Sequence, residues 1–261
     1  MINPDLISKF IDGNQFIDKL YSFDELDSTN DYAKKNKVPA NSLVITNHQK
    51  LGRGRLDRQW ESEKNKNLTF SLVKKININL KDQVNIVYYS AYSLYSVIKK
   101  ILTTSGKSNN KYGLDIKWPN DILLNNKKIA GILIETMPIT NIYVIGVGIN
   151  VNQQTFSTET SGIATSLCIE TGKTFDLNNL FEEIIQMFLI NYSIIEEYKF
   201  SNIYNLWKKC INCIGQTVLY FDKFGKKIQG RVIDITPSGH IIIEENTIIR
   251  TYNSEDIKLI I

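Results

Sequence analysis

The chain has 261 residues, 43% of them hydrophobic and 22% charged. These are ordinary proportions for a folded protein with a sizeable core and unlike those of a disordered chain. A formal net charge of +4 suits an anionic small ligand but does not demand nucleic acid.

Three cysteines, Cys168, Cys210 and Cys213, form an odd, sparse set that reads as thiols of a reducing compartment. Cys210 and Cys213 have C-x-x-C spacing with no second pair and no His cluster nearby, so no protein metal site is expected. No run approaches the ~20 apolar residues that cross a bilayer, and no charged start leads into an apolar stretch. The expectation is a soluble, cytoplasmic protein without a membrane partner.

In chain order, Leu6, Ile7, Phe10 and Ile11 predict a short first helix. Ser28, with Asp31 three residues on, has the pattern of a helix start. Leu43 to Thr46 and Leu68 to Val73 predict strands on either side of a glycine-arginine loop. Val84, Val87, Tyr88, Ala91, Leu94, Tyr95 and Ile98 fall at helical spacing. Leu114 to Trp118, Ile129 to Glu135 and Ile142 to Val147 follow as strands, the last two being apolar runs of the kind covered on both faces. Asn125-Asn126 supplies the turn before Ile129. Leu177, Leu180, Phe181, Ile184 and Phe188 mark another helix capped by Asp176, and a further one carries Tyr204 and Trp207. Beyond Gly215, short strands separated by Gly225, Pro237-Ser238-Gly239 and Glu245-Asn246 predict a small barrel.

Four segments carry the chemistry. In Gly52-Arg53-Gly54-Arg55-Leu56-Asp57-Arg58-Gln59-Trp60, glycines free backbone N–H groups while arginines offer planar forks for phosphate or carboxylate. Trp60 adds a flat face for a base or a packing anchor. The plain alternative is a solvated basic loop. Lys117-Trp118-Pro119-Asn120-Asp121 presents Asn120 and Asp121 at a strand end, or is simply a turn. Lys128 opens a buried strand, either snorkelling to solvent or standing as a fixed cation. Gly146 and Gly148 weaken an apolar strand, which implies close approach by something, while Asn150 sits at its end.

Taken in order, Ser28-Thr29-Asn30, the glycine-arginine loop, Lys-Trp-Pro-Asn-Asp, Lys128-x-Ala-Gly-Ile-x-x-Glu135 and Gly146-x-Gly-Ile-Asn150 resemble the biotin–protein ligases. The resemblance implies an α+β fold. Residues 1–213 would form a catalytic domain with a mixed sheet flanked by helices, class II synthetase-like or biotin–lipoate ligase-like. Residues 214–261 would form a small C-terminal SH3-like β-barrel. It implies that ATP activates biotin to biotinyl-5′-AMP, and that biotin passes to a lysine of the biotin carboxyl carrier protein of acetyl-CoA carboxylase.

By the same resemblance, Ser28, Thr29, Asn30, Gln49, Arg53, Gly54, Arg55 and Lys128 bind biotin. Arg55, Arg58, Trp60, Asn120, Asp121 and Asn150 bind ATP, and Arg53, Arg55 and Lys128 are catalytic. Mg²⁺ arrives with the nucleotide phosphates rather than in a protein cage. Asp57 departs from the pattern, which places a glycine there. Some family members carry an N-terminal DNA-binding module. Too few residues precede Ser28 for one here, so a ligase without DNA binding is expected. A homodimer stays open, because an edge strand that pairs across a dimer reads like any other. The rivals are a lipoate–protein ligase and a nucleic-acid-binding module.

Overall fold

A computed structural model describes residues 1–13, 16–55, 58–79, 82–104, 112–137, 141–198, 200–222 and 224–260. The elements in chain order begin α1 (Pro4–Asp12), β1 (Lys19–Phe23), α2 (Thr29–Lys35), β2 (Ser42–Thr46), β3 (Gly52–Arg53), β4 (Gln59–Trp60) and β5 (Leu68–Lys75). Next come α3 (Val84–Thr104), β6 (Leu114–Lys117), β7 (Asp121–Leu124), β8 (Lys127–Thr136), β9 (Ile142–Ile149), α4 (Leu167–Thr171), α5 (Leu177–Tyr198) and α6 (Phe200–Lys208). The chain closes with β10 (Thr217–Asp222), β11 (Lys227–Ile235), β12 (Ile241–Glu245), β13 (Ile248–Tyr252) and β14 (Ile257–Ile260). No helix among the described residues is long and apolar enough to cross a membrane.

The main sheet has seven strands in the order β1-β2-β5-β9-β8-β7-β6. β1 runs parallel to β2, and the remaining neighbours pair antiparallel. Because side chains alternate along a strand, each face has its own character. On one face Leu68, Phe70 and Leu72 of β5, with Ile145, Val147 and Ile149 of β9, join α3 and α5 in the main core, which includes Tyr89, Leu94, Phe181 and Phe188. On the other face α2 covers one end through Ala33, Val44, Val73 and Val144. That face also carries Ser71, Gly146 and Gly148. It is the floor of the site.

Asn125 and Asn126 form the β7–β8 turn with φ of 52° and 63°. Both central residues of a two-residue hairpin turn of this kind need the left-handed region, which Asn tolerates. Just beyond, the β7–β8 register shifts: Ile122 faces Ala130, but Leu123 faces Lys128. Ile129 is therefore an extra residue, a β-bulge. It turns Lys128 to the same face as Gly131, where a Cβ would stand 3.0 Å from the Lys128 side chain.

The C-terminal strands form a five-stranded antiparallel sheet in the order β13-β12-β11-β10-β14. This agrees with the small SH3-like C-terminal domain expected, although the ladder is not closed into a barrel among the described residues, where β13 and β14 are opposite edges. The sheet docks on α3 and α6. The hydroxyls of Tyr88 and Tyr204 donate to the carbonyls of Thr236 (3.3 Å) and Ile235 (2.5 Å), and Lys208 pairs with Asp234. Tyr88 and Trp207 pack below with rings tilted by 33° and centroids 4.0 Å apart.

Candidate active site

The head of α2 is built first by its cap. Ser28 has extended backbone, and its hydroxyl accepts from Asp31 N at 3.2 Å, satisfying one of the open N–H groups of the first turn. The Asp31 carboxylate bonds the Arg53 guanidinium and stands 3.5 Å from Lys34. Thr29 donates its N–H (2.9 Å) and its hydroxyl (3.2 Å) to Gln49 Oε1. That occupies the Gln49 carbonyl, and its amide nitrogen remains to donate.

Asn30 lies flat across three strands. Its Nδ2 donates to the Leu133 carbonyl (3.2 Å) and to Glu135 Oε2 (2.8 Å). Its Oδ1 accepts from the Ser71 hydroxyl at 2.6 Å. Ser71, Gly146 and Leu133 are register partners across β5, β9 and β8. A Cβ on Gly146 would stand 2.4 Å from Asn30 Oδ1, so glycine is what allows the amide to cross.

The β3–β4 hairpin folds over the other half of the same floor. Its loop is closed by Gly54 N–H donating to the Arg58 carbonyl at 2.6 Å. The Trp60 indole rests on Gly148, where a Cβ would meet the ring at 2.4 Å. The close approach anticipated at these two glycines is thus made by Asn30 and Trp60. Trp60 Nε1 and Asn150 Oδ1 are buried without hydrogen-bond partners. Such groups are costly unless a ligand or water satisfies them. Asn150 Nδ2 is fixed by the Thr165 carbonyl at 3.0 Å, which sets the direction of its Oδ1.

The cations rest on local partners. Lys128 Nζ is 2.8 Å from Asp121 Oδ1 and 5.4 Å from the Trp60 ring centroid, within cation–π range. Arg55 donates to the Ser254 carbonyl (3.1 Å) and hydroxyl (2.5 Å), on the turn before β14. Burial pulls the Arg55 guanidinium below the usual arginine value, against the opposing fields of Asp121 and Glu255. Arg53 borders the cavity but is paired within the protein. Burial would lower its value, but Asp31 and Glu135 outweigh that and raise it, because the guanidinium faces those two carboxylates. Asn120 is likewise engaged within the protein, its amide donating to the Ile132 carbonyl at 2.5 Å.

Together these groups line one cavity of about 930 Å³, in the size range of small-molecule sites. Ser28, Thr29, Asn30, Gln49, Arg53, Gly54, Arg55, Arg58, Trp60, Asn120, Asp121, Lys128 and Asn150 all border it. Asp57 lies outside the described residues. Sequence reasoning missed Ser71 beneath the floor, Glu61 and Thr160 on the wall, and Ser254, Ile257 and Leu259 from the C-terminal sheet. Ser254 carries no signal in the sequence, being 199 residues from the arginine it contacts. The cavity thus has a hydrogen-bonding end under α2, where the charged groups pair with one another within the protein, and a cationic, aromatic end under the hairpin. That division suits a neutral ring bearing an acidic tail beside a nucleotide.

Known proteins agree with this chemistry. Residues 22–152 match the biotin/lipoate A/B protein ligase family. BirA, a bifunctional ligase/repressor of Bacillus subtilis, is 32% identical over 229 residues, covering 86% of this chain and 68% of that protein. A biotin–[acetyl-CoA-carboxylase] ligase of Paracoccus denitrificans is 27% identical over 201 residues, 74% of this chain and 81% of that one. The structure of biotin protein ligase from Aquifex aeolicus in complex with biotin and ATP superposes with a TM-score of 0.78 at 25% identity, covering 93% of this chain and 99% of that one. On sequence and fold alike, the chain belongs to the biotin/lipoate A/B protein ligase family.

Proposed function

We propose that this protein is a biotin–protein ligase, which activates biotin with ATP and then biotinylates a lysine of a biotin carboxyl carrier protein. The observation that carries this reading is the joint lining of one cavity by the α2 head, the glycine-arginine hairpin, Lys128 and Asn150. In this reading the enzyme works in the cytoplasm, with residues 1–213 as its catalytic part and 214–261 as its C-terminal part.

A biotin carboxylate oxygen attacks the α-phosphorus of ATP. The new O–P bond forms as the bond to the bridging oxygen breaks, and pyrophosphate leaves with the electron pair. Two anions must meet, so cations and dipoles fixed in place lower the barrier, and positioning supplies much of the rest. Ser28, Thr29, Asn30 and Gln49 hold the ring end. Arg55 and Lys128 face the carboxylate and α-phosphate, and Gly54 lies beside them with its N–H held by the Arg58 carbonyl. Arg53 reaches the ligand only by exchanging Asp31 or Glu135 for it. Arg58, Trp60, Asn120, Asp121 and Asn150 shape the nucleotide end, with Trp60 Nε1 and Asn150 Oδ1 ready for polar partners. In the second step a neutral lysine amine attacks the acyl carbon, the C–O bond to phosphate breaks, AMP leaves with the electron pair, and the nitrogen gives up its proton to solvent. Asp121 orients that amine.

Mg²⁺ bound to the nucleotide would neutralise phosphate charge. Among the described residues, no three His, Cys, Asp or Glu side chains stand close enough together to hold a metal. In this reading the ion arrives with the nucleotide phosphates.

The test is exchange of labelled pyrophosphate into ATP. Exchange that requires biotin is the expected outcome. Exchange driven by lipoate instead would overturn the substrate assignment, and salt-sensitive nucleic-acid binding without any exchange would overturn the enzyme class.

A further inference from the structure

Glu61 follows Trp60 directly, and its carboxylate does not point to open solvent. Glu61 Oε1 accepts from Ser157 N–H (3.1 Å) and Gln153 Nε2 (3.1 Å). Oε2 accepts from the Thr160 hydroxyl (2.6 Å) and again from Ser157 N–H (3.2 Å). These donors lie more than 90 residues further along the chain, in the segment between β9 and α4.

That segment is a wall of the cavity, contributing Phe156, Thr160, Ile163 and Ala164 to its lining. Its far end is fixed to the backbone of Lys128, whose N–H donates to the Ile163 carbonyl (2.7 Å) and whose carbonyl accepts from Thr165 N–H (2.9 Å). The middle is tied to the rest of the chain through Glu61. Burial alone would raise the Glu61 carboxyl, but the hydrogen bonds from Thr160, Ser157 and Gln153 hold it below its ordinary value. It therefore stays an anion with only acceptor sites, which is what a cluster of donors needs.

We infer that Glu61 is a positioning residue for the nucleotide half of the site: it anchors the 153–164 segment against the Trp60 hairpin, so that wall and indole enclose the nucleotide together. The inference rests on the ligase reading above and extends it to a wall residue whose carboxylate is bonded to the 153–164 segment. A glutamine at this position offers one acceptor oxygen and turns an NH₂ toward donors, which opens the anchor without removing bulk. Thr160→Val removes one of its contacts from the opposite side.

The experiment compares the full chain with Glu61→Gln, Thr160→Val and the double variant. It reads KM for ATP, Kd for biotin alone, and the rate at which biotinyl-adenylate is released. For Glu61→Gln, KM for ATP should rise about tenfold and adenylate release should quicken by about the same factor, with biotin Kd held within about twofold. Thr160→Val should give a smaller change in the same two quantities, and the double variant should be no worse than Glu61→Gln alone, because both cut one connection. Unchanged KM and release in Glu61→Gln overturn the inference. So does a parallel loss of biotin affinity, which would mark a general structural role. Wild-type protein lacking biotin-dependent exchange overturns the parent reading and this inference with it, whereas active wild type with an indifferent Glu61→Gln overturns this inference alone.

Discussion

Under α2, the polar groups of the cavity bond chiefly to one another. Gln49 is held by Thr29, Asn30 by Ser71, Leu133 and Glu135, and Ser28 by the helix it caps. Under the β3–β4 hairpin, the cations instead lean on single substitutes, Lys128 on Asp121 and Arg55 on Ser254, while Trp60 Nε1 and Asn150 Oδ1 have no partner. The first end is pre-organised for a neutral ring, since bound groups already have their directions fixed. The second stores cations on partners that a stronger anion can displace. Substrate recognition and charge chemistry are thus separated along one floor.

The largest way to break this division is Lys128→Ala. Removing one fixed charge from a reacting centre typically costs about 10²–10³ in rate. Adenylate formation in single-turnover assays should fall by that order, while biotin Kd changes little. A comparable loss in biotin affinity would dissolve the distinction between the two ends.

Gly148→Ala comes next. The added Cβ would meet the Trp60 ring at 2.4 Å, so the indole must move. Overpacking of this kind costs roughly 1–3 kcal/mol of stability, and KM for ATP should rise about tenfold as the indole is displaced. Thermal melts with ATP titrations check both. An unchanged KM for ATP would remove Trp60 from the nucleotide end.

Ser71→Ala sharpens the contrast with the smallest effect. It leaves Asn30 Oδ1 without its donor, a loss of about 1–3 kcal/mol for a buried acceptor. KM for biotin should rise a few-fold and KM for ATP should stay put. Movement of the ATP value would show that the two ends communicate through β5.

Much of this site is legible in sequence because its motifs mark local features: a helix cap, a hairpin, strand ends and glycines at close approaches. Ser28 announced a helix start, Gly146 and Gly148 announced close approach, and Asn125-Asn126 announced the turn before β8. What sequence could not give is where the chain departs from strict alternation. The pattern Lys127-Lys128-Ile129-Ala130 does not reveal that Ile129 is an extra residue, yet that bulge is what turns Lys128 into the cavity. β1 was missed because Lys19–Phe23 is a half-exposed edge strand, with little apolar periodicity to read. Short-strand spacing points to the small C-terminal β-domain, but closure depends on which edges meet, and β13 and β14 do not. Asp31 takes part in the helix start through its backbone N–H, while its carboxylate serves Arg53.

The central claim is that one cavity joins biotin to a nucleotide with Lys128 at the reacting centre. Incubating the protein with biotin, ATP and Mg²⁺, without any carrier, and weighing the bound product by mass spectrometry tests it most directly. The expected result is about one biotinyl-adenylate per wild-type chain, with strongly slowed formation in Lys128→Ala. Biotin recovered unmodified from wild-type protein, or equal adenylate yield and rate in the variant, would contradict it.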